Sequence, residues 1–175
     1  KINKNFIFFD NFNQEHLKKI KNENNLNKTL FVIVSKSGNT TETIVNLSFF
    51  SKFLKKKNTI IISENRDNIL NNFAKRKKFL FISHKRKIGG RYSVFSDVGM
   101  LPASLMGLKP EEFKKNIPNL INNKKNLKNT LSQISKKNFN KMKVLVLFNY
   151  VPELNSFMYW IQQLFAEILG KKNPN

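Results

Sequence analysis

Leu30-Phe31-Val32-Ile33-Val34-Ser35-Lys36-Ser37-Gly38-Asn39-Thr40-Thr41-Glu42-Thr43 is the stretch that decides the fold. Its first five residues are a continuous apolar run of strand length, and such a run implies a strand buried on both faces. The residues after it are rich in hydroxyls, and Ile44 and Leu47 then recur at helical spacing. Strand, short turn and helix in that order open a βαβ crossover. Further apolar runs stand at residues 6–9, 59–62, 79–82 and 144–148. Helical patterns lie between them: Ile44, Leu47 and Leu54 with Phe50 beside them, then Ile69, Leu70 and Phe73. Each pattern ends in a cluster of Lys or Arg, where cations suit the negative end of a helix. The pattern predicts an α/β fold: a doubly wound, mainly parallel sheet with helices on both faces.

Composition sets the outer limits. A chain of 175 residues with 40% hydrophobic residues and 17 Phe is expected to bury one core and fold. A formal charge of +21 and a pI near 10.3 would attract phosphates, nucleic acid or an anionic membrane surface. The lysines sit in Asn-rich surroundings without the interleaved aromatics of a single-strand stacking platform, so solvated faces are expected and no nucleic-acid partner. With no Cys, and with His16 and His84 far apart, neither a thiolate site nor a recognisable zinc motif is present. No apolar run approaches the ~20 residues that span a bilayer, and the start at Lys1 has the pattern of neither a signal peptide nor an initiator Met. The expectation is a soluble, cytoplasmic piece of a longer chain without a membrane partner. Leu120, Leu127, Leu131 and Ile134 keep one helical face apolar within an Asn/Lys-rich stretch, which predicts a surface helix.

The turn at residues 35–43 has the makings of an anion cradle. Unpaired N–H groups and the positive dipole end of a first helical turn favour a phosphate. Hydroxyls of Ser35, Ser37, Thr40 and Thr43 can donate to its oxygens, and the loop lies at the carboxyl end of a strand, where parallel sheets bind ligands. Glu42 follows Asn39 by three residues, the spacing of a capping box with Asn39 as the cap. The spaced glycines and Gly-Lys-Ser/Thr ending of a Walker loop are missing, so a nucleotide is not the expected ligand.

Two later segments carry groups suited to chemistry. Ile88-Gly89-Gly90-Arg91-Tyr92-Ser93-Val94-Phe95-Ser96-Asp97-Val98-Gly99-Met100-Leu101-Pro102 pairs two glycines with an arginine. Paired glycines let backbone approach a ligand, and a guanidinium can lie over a developing oxyanion; a tight turn with a surface salt bridge is the equal alternative. Tyr92 is assigned to packing. Residues 152–170 read as an amphipathic helix whose apolar stripe runs from Leu154 through Ile161 to Leu169. Pro152 suits its first turn, and Gly170 with Lys171 and Lys172 its end. Ser156, Trp160, Gln163 and Glu167 form an adjacent edge, so Glu167 stands beside the stripe. Partial burial would raise its pKa toward that of a general base, while a boundary Glu paired with a Lys is the simpler alternative.

The hydroxyl-rich turn resembles the phosphosugar loop of sugar isomerase domains. Gly89-Gly90-Arg91-Tyr92-Ser93, followed by Ser96 and Gly99, is similar to the phosphoglucose isomerase family in particular, as is Gln162-Gln163 followed by Ala166-Glu167 and Gly170-Lys171. The resemblance covers nearly the whole chain. It implies a sugar isomerase domain over residues 1–175 together with the start of the following helical region. It further implies interconversion of glucose 6-phosphate and fructose 6-phosphate through a cis-enediol. In that family's terms Glu167 moves the proton and Arg91 stabilises the intermediate. The resemblance likewise implies that Ser35, Lys36, Ser37, Thr40, Thr43, Gly90 and Gln163 bind the substrate. Neither metal nor organic cofactor is implied, and the full-length protein is expected to be a homodimer. Arg86 and Asp97 depart from the family's usual residues, acidic or small polar at the first and small at the second. The family's upstream Gly-rich segment and later ring-opening His and Lys have no counterpart here, and His16 and His84 do not replace them, so the chain alone is expected to be inactive or barely active. A non-catalytic sugar-phosphate sensor, an isomerase that also takes mannose 6-phosphate, and a nucleic-acid module are the alternatives.

Overall fold

Phe31–Val34 (β1), Thr59–Ser63 (β2) and Leu80–Ser83 (β3) form a three-stranded sheet in the order β1-β2-β3. Both pairs are parallel, with Ile33 opposite Ile61 and Ile62 opposite Ile82. Parallel neighbours need a crossover, and the chain supplies one helix for each: Thr41–Phe50 (α2) and Ile69–Lys77 (α3), after an initial helix Gln14–Glu23 (α1). In this computed structural model residues 5–10, 13–135 and 144–169 are described. They divide into two compact units, Lys1–Leu108 and Lys109–Asn175.

The first unit is an α/β fold with a parallel sheet flanked by helices. Ile61, fully buried, meets Leu54, Leu70, Ala74 and Phe79, with Phe31, Ile33, Leu47, Phe50, Phe73 and Phe81 packed around them. Burying a side chain such as Ile61 contributes about 1.5–3 kcal/mol. Ile44 and Leu47 of α2 line a groove of about 540 Å³ together with Ile69, Leu70 and Phe73 of α3, so both crossovers lie on one face of the sheet. The strands run in sequential order without reversal, which makes them one winding of a doubly wound sheet. Only the central strand matches the expectation of burial on both faces: Ile61, Ile62 and Ser63 are at 0% exposure, while Leu80 on the edge strand β3 is 57% exposed. An edge strand lacks a neighbour to cover one side of its backbone.

Two runs with strand composition do not form strands. Residues 6–9 form no regular element and have no ladder partner among the described residues, and Phe9 instead packs edge-on against Phe50 at 6.4 Å. Residues 144–148 are likewise irregular and exposed, Val144 at 76% and Phe148 at 75%. Apolar content favours burial, but a strand exists only where another backbone answers its N–H and C=O groups. The α2 helix also stops earlier than its pattern suggests. A 3₁₀ turn at Ser51–Phe53 follows it, so Leu54 is buried from a loop and Lys55, Lys56 and Lys57 lie beyond the helix.

A 3₁₀ helix at Gly90–Phe95 leads into Asp97–Leu105 (α4), capped by Ser96, whose hydroxyl accepts from Val98 N–H. The second unit holds Pro110–Lys114 (α5), Ile117–Asn122 (α6), Lys124–Ser135 (α7) and Asn155–Leu169 (α8). The side chains of Leu127, Leu131 and Ile134, and all of Gly170, Lys171 and Lys172, lie outside the described residues. Pro152 opens a 3₁₀ turn, Pro152–Leu154, directly before α8. Among the described residues no helix is long and apolar enough to cross a membrane.

Candidate functional site

The turn after β1 is closed by its own side chains. Ser35 extends the ladder by one bond, its N–H donating to Ile62 O at 3.1 Å, and is 6% exposed. Its Oγ accepts from Gly38 N–H at 3.1 Å and lies 2.7 Å from Thr40 Oγ1. Ser37 Oγ accepts from Asn39 N–H at 3.2 Å and lies 3.4 Å from Thr40 Oγ1. Gly38 turns the chain at φ +70° and lets it approach Asn68, whose Oδ1 would be 2.0 Å from an added Cβ.

Asn39 does not cap its own helix. The N-cap of α2 is Thr40, whose carbonyl accepts from Ile44 N–H at 3.1 Å and whose side chain makes no capping bond. Asn39 Oδ1 instead accepts from the first N–H of α3, at Ile69, at 3.0 Å, and Leu70 N–H donates to Gly38 O at 3.1 Å. The expected capping box with Glu42 is therefore replaced by a tie between the turn and the neighbouring helix. The consequence for ligands is direct: the first turn of α2 keeps its N–H donors clear of side-chain caps.

An open cleft of about 460 Å³ lies beside this turn, lined by Lys36, Ser37, Thr40, Glu64, Arg66 and Arg86. Of the residues expected to bind substrate, Lys36, Ser37 and Thr40 line it. Ser35 is buried and bonded to Thr40, and Thr43 is half-buried in the first turn of α2, outside the lining. Three lining residues did not emerge from sequence as site residues. Glu64 follows β2, with its side chain 8% exposed, and is ion-paired to Arg66 Nε at 3.0 Å and Lys36 Nζ at 3.7 Å. Its N–H donates to Lys36 O at 3.1 Å, so backbone and side chain both bind it to the turn. The one available signal was position, since Glu64 and Arg66 follow the carboxyl end of a parallel strand. His84, just past β3, is 4% exposed, with its N–H donating to Ser63 O at 2.8 Å and Nδ1 3.0 Å from Lys85 O.

The Gly-Gly-Arg segment forms the 3₁₀ helix described above. Among the described residues nothing lies within 4 Å of a Cβ added at Gly90, so none of their atoms requires a glycine there. A Cβ added at Gly89 would stand 3.0 Å from the Tyr92 ring, yet Tyr92 is 51% exposed, so packing occupies only part of that side chain. Ser93 Oγ donates to Gly90 O, and Ser96 Oγ donates to Ser93 O at 2.6 Å, bracing the turn. Gly99 is needed for close approach, because a Cβ there would meet Val94 O at 2.1 Å. Arg91 is half-buried, and neither it nor Gly90 belongs to the cleft lining.

On α8, Glu167 is half-buried, as are Met158, Ile161 and Leu164, while Gln163 is exposed. Trp160, half-buried, tilts against Phe157 with ring centroids 5.6 Å apart. Glu167 thus shares the covered side of the helix, as its place beside the apolar stripe implies.

The family model described as phosphoglucose isomerase matches residues 1–174. A protein of Methanococcus maripaludis described as a probable glucose-6-phosphate isomerase is 32% identical over 94% of this chain and 40% of its own length. A glucose-6-phosphate isomerase of Methanocaldococcus jannaschii is 31% identical over 97% of this chain and 45% of its own length. A crystal structure of a hypothetical protein from Thermus thermophilus superposes with a TM-score of 0.55 at 30% identity, covering 58% of this chain and 26% of that one. The chain therefore spans less than half the length of these relatives. Matched from its first strand to its last helix, the chain belongs to the phosphoglucose isomerase family.

Proposed function

We propose that this chain holds the phosphate of a hexose 6-phosphate and takes part in its aldose–ketose isomerisation, interconverting glucose 6-phosphate and fructose 6-phosphate through a cis-enediol. The observation that supports this best is the cleft at the carboxyl ends of the parallel strands, where Lys36, Ser37 and Thr40 stand beside a helix start without side-chain caps. A phosphate dianion there accepts from backbone N–H groups and hydroxyls, and its charge meets Lys36. Ser35 and Thr43 complete the set, Ser35 by fixing the Thr40 hydroxyl. Because the phosphate does not change during the reaction, its binding energy serves to place the first two sugar carbons.

In this assignment Glu167 carries the proton between C2 and C1, and the Arg91 guanidinium offsets the negative charge on the enediolate oxygen. Gly90 leaves room beside that arginine, and Gln163 contacts the sugar. No step calls for a cofactor. Residues 1–175 make up the sugar isomerase domain with the beginning of the next helical region, and the intact enzyme works as a homodimer.

Calorimetric titration with fructose 6-phosphate tests the first half. Replacing both Ser37 and Thr40 by Ala should raise Kd by about tenfold or more, as two hydrogen bonds to a charged group are lost. No detectable binding by the unaltered chain would end the proposal. For the chemistry, Glu167→Gln in the intact isomerase carrying this segment should lower kcat by roughly 10²–10⁴-fold with little change in fructose 6-phosphate affinity. A parallel loss of affinity and rate would instead make Glu167 a binding or structural group. The 175-residue chain assayed by itself is expected to turn over little or no substrate.

A further inference from the structure

The cleft holds more positive charge than the hydroxyl-rich turn provides, and that charge is unevenly committed. Lys36, Arg66 and Arg86 line it with one carboxylate, Glu64, leaving two positive charges in excess. Glu64 is buried and cannot turn away. Its carbonyl accepts from Arg66 N–H at 2.9 Å and from Asn68 Nδ2 at 3.0 Å, and its N–H donates to Lys36 O. A buried carboxylate must keep its counter-charges, so Arg66 at 3.0 Å and Lys36 at 3.7 Å are held to it. Arg86 stands on the loop after β3, exposed, and among the described residues no carboxylate forms an ion pair with it. It shares the lining with the Ser37 and Thr40 hydroxyls.

We infer that Arg86 is a phosphate-binding residue of this cleft, adding from the β3 loop a positive charge to that of Lys36, which Glu64 partly engages. The inference rests on the phosphate assignment made above and deepens it. Two excess positive charges match a phosphate monoester in its doubly charged form, which dominates above a second pKa of about 6. A guanidinium also meets two phosphate oxygens at once, a geometry that a lysine ammonium lacks.

Calorimetric titration with inorganic phosphate and with fructose 6-phosphate, at about pH 7.5 where both are mainly dianions, tests this with Arg86→Ala, Arg86→Lys and Ser37→Ala beside the unaltered chain. Arg86→Ala should weaken both ligands by about tenfold and flatten the fall of affinity with salt, and Arg86→Lys should lose less, because the charge remains without the fork. Arg86 is exposed, so thermal melts of the variants should match the parent. If Arg86→Ala melts lower, Arg86→Lys at the parent's melting temperature decides, and it must bind more weakly than the parent for the inference to stand. Equal affinity in Arg86→Ala and the parent, with Ser37→Ala still weakened, overturns the role of Arg86 and leaves the phosphate turn standing. Failure of the unaltered chain to bind either ligand overturns both.

Discussion

A Cβ at Gly38 would have to displace Asn68, and Asn68 has nowhere to go. Its Oδ1 accepts from Asn71 N–H at 2.8 Å as the cap of α3, its Nδ2 donates to Glu64 O, and the residue is 5% exposed. Gly38→Ala therefore combines a left-handed backbone with a contact that cannot relax, and should destabilise the unit by about 3 kcal/mol in urea denaturation. A loss below about 1 kcal/mol would mean that the turn can rebuild itself. Asn39 next to it was legible as a capping residue of its own helix, but not as the acceptor for the first N–H of another helix that Asn68 caps. Capping preference is a property of short polar side chains, whereas the N–H each one reaches depends on which helix the fold sets nearby. Asn39→Ala should cost about 1 kcal/mol, felt at the start of α3, and hydrogen exchange at Ile69 should quicken more than at Ile44.

Strand composition and strand formation part ways in this chain, and the difference is one of partners. Residues 31–34, 59–63 and 80–83 pair because α2 and α3 bring them side by side, while the equally apolar residues 144–148 find no backbone to answer them among the described residues. Central and edge positions differ in energy accordingly. Ile61→Ala should cost about 2–5 kcal/mol because it opens a cavity in the core, whereas Leu80→Ala, half in solvent, should cost under about 1 kcal/mol. Equal losses at the two positions in chemical denaturation would contradict the assignment of β3 to the edge. The α1 helix has a weak sequence signature because it offers only two buried apolar residues, Leu17 and Ile20, among lysines; its cap, Asn13 accepting from His16 N–H at 3.0 Å, is the signal it does carry.

At the scale of the molecule the dominant quantity is a formal charge of +21 on 175 residues. Like charges on a compact surface repel, and expansion on unfolding relieves the repulsion. Salt screens such pairs beyond about 8 Å at 0.15 M but weakens the buried Glu64 cluster much less. The melting temperature should accordingly rise by several degrees between about 0.02 M and about 0.5 M sodium chloride, and a fall over that range would show that surface attraction outweighs repulsion. The same screening weakens phosphate binding, so stability and affinity should move in opposite directions as salt is added.

The sequence alone determined the βαβ rhythm, the hydroxyl-rich turn with Lys36, Ser37 and Thr40, and the motifs that carry the family, because each is a pattern of neighbouring residues whose chemistry acts within one or two turns of chain. Tertiary structure decided that Glu64, Arg66 and Arg86 join that turn, that Asn39 serves α3, and that two apolar runs find no partner among the described residues. Those outcomes depend on strand order and register, set by burial of residues such as Ile61 and Ile62 across the sheet, and local sequence does not encode which strand ends will stand together.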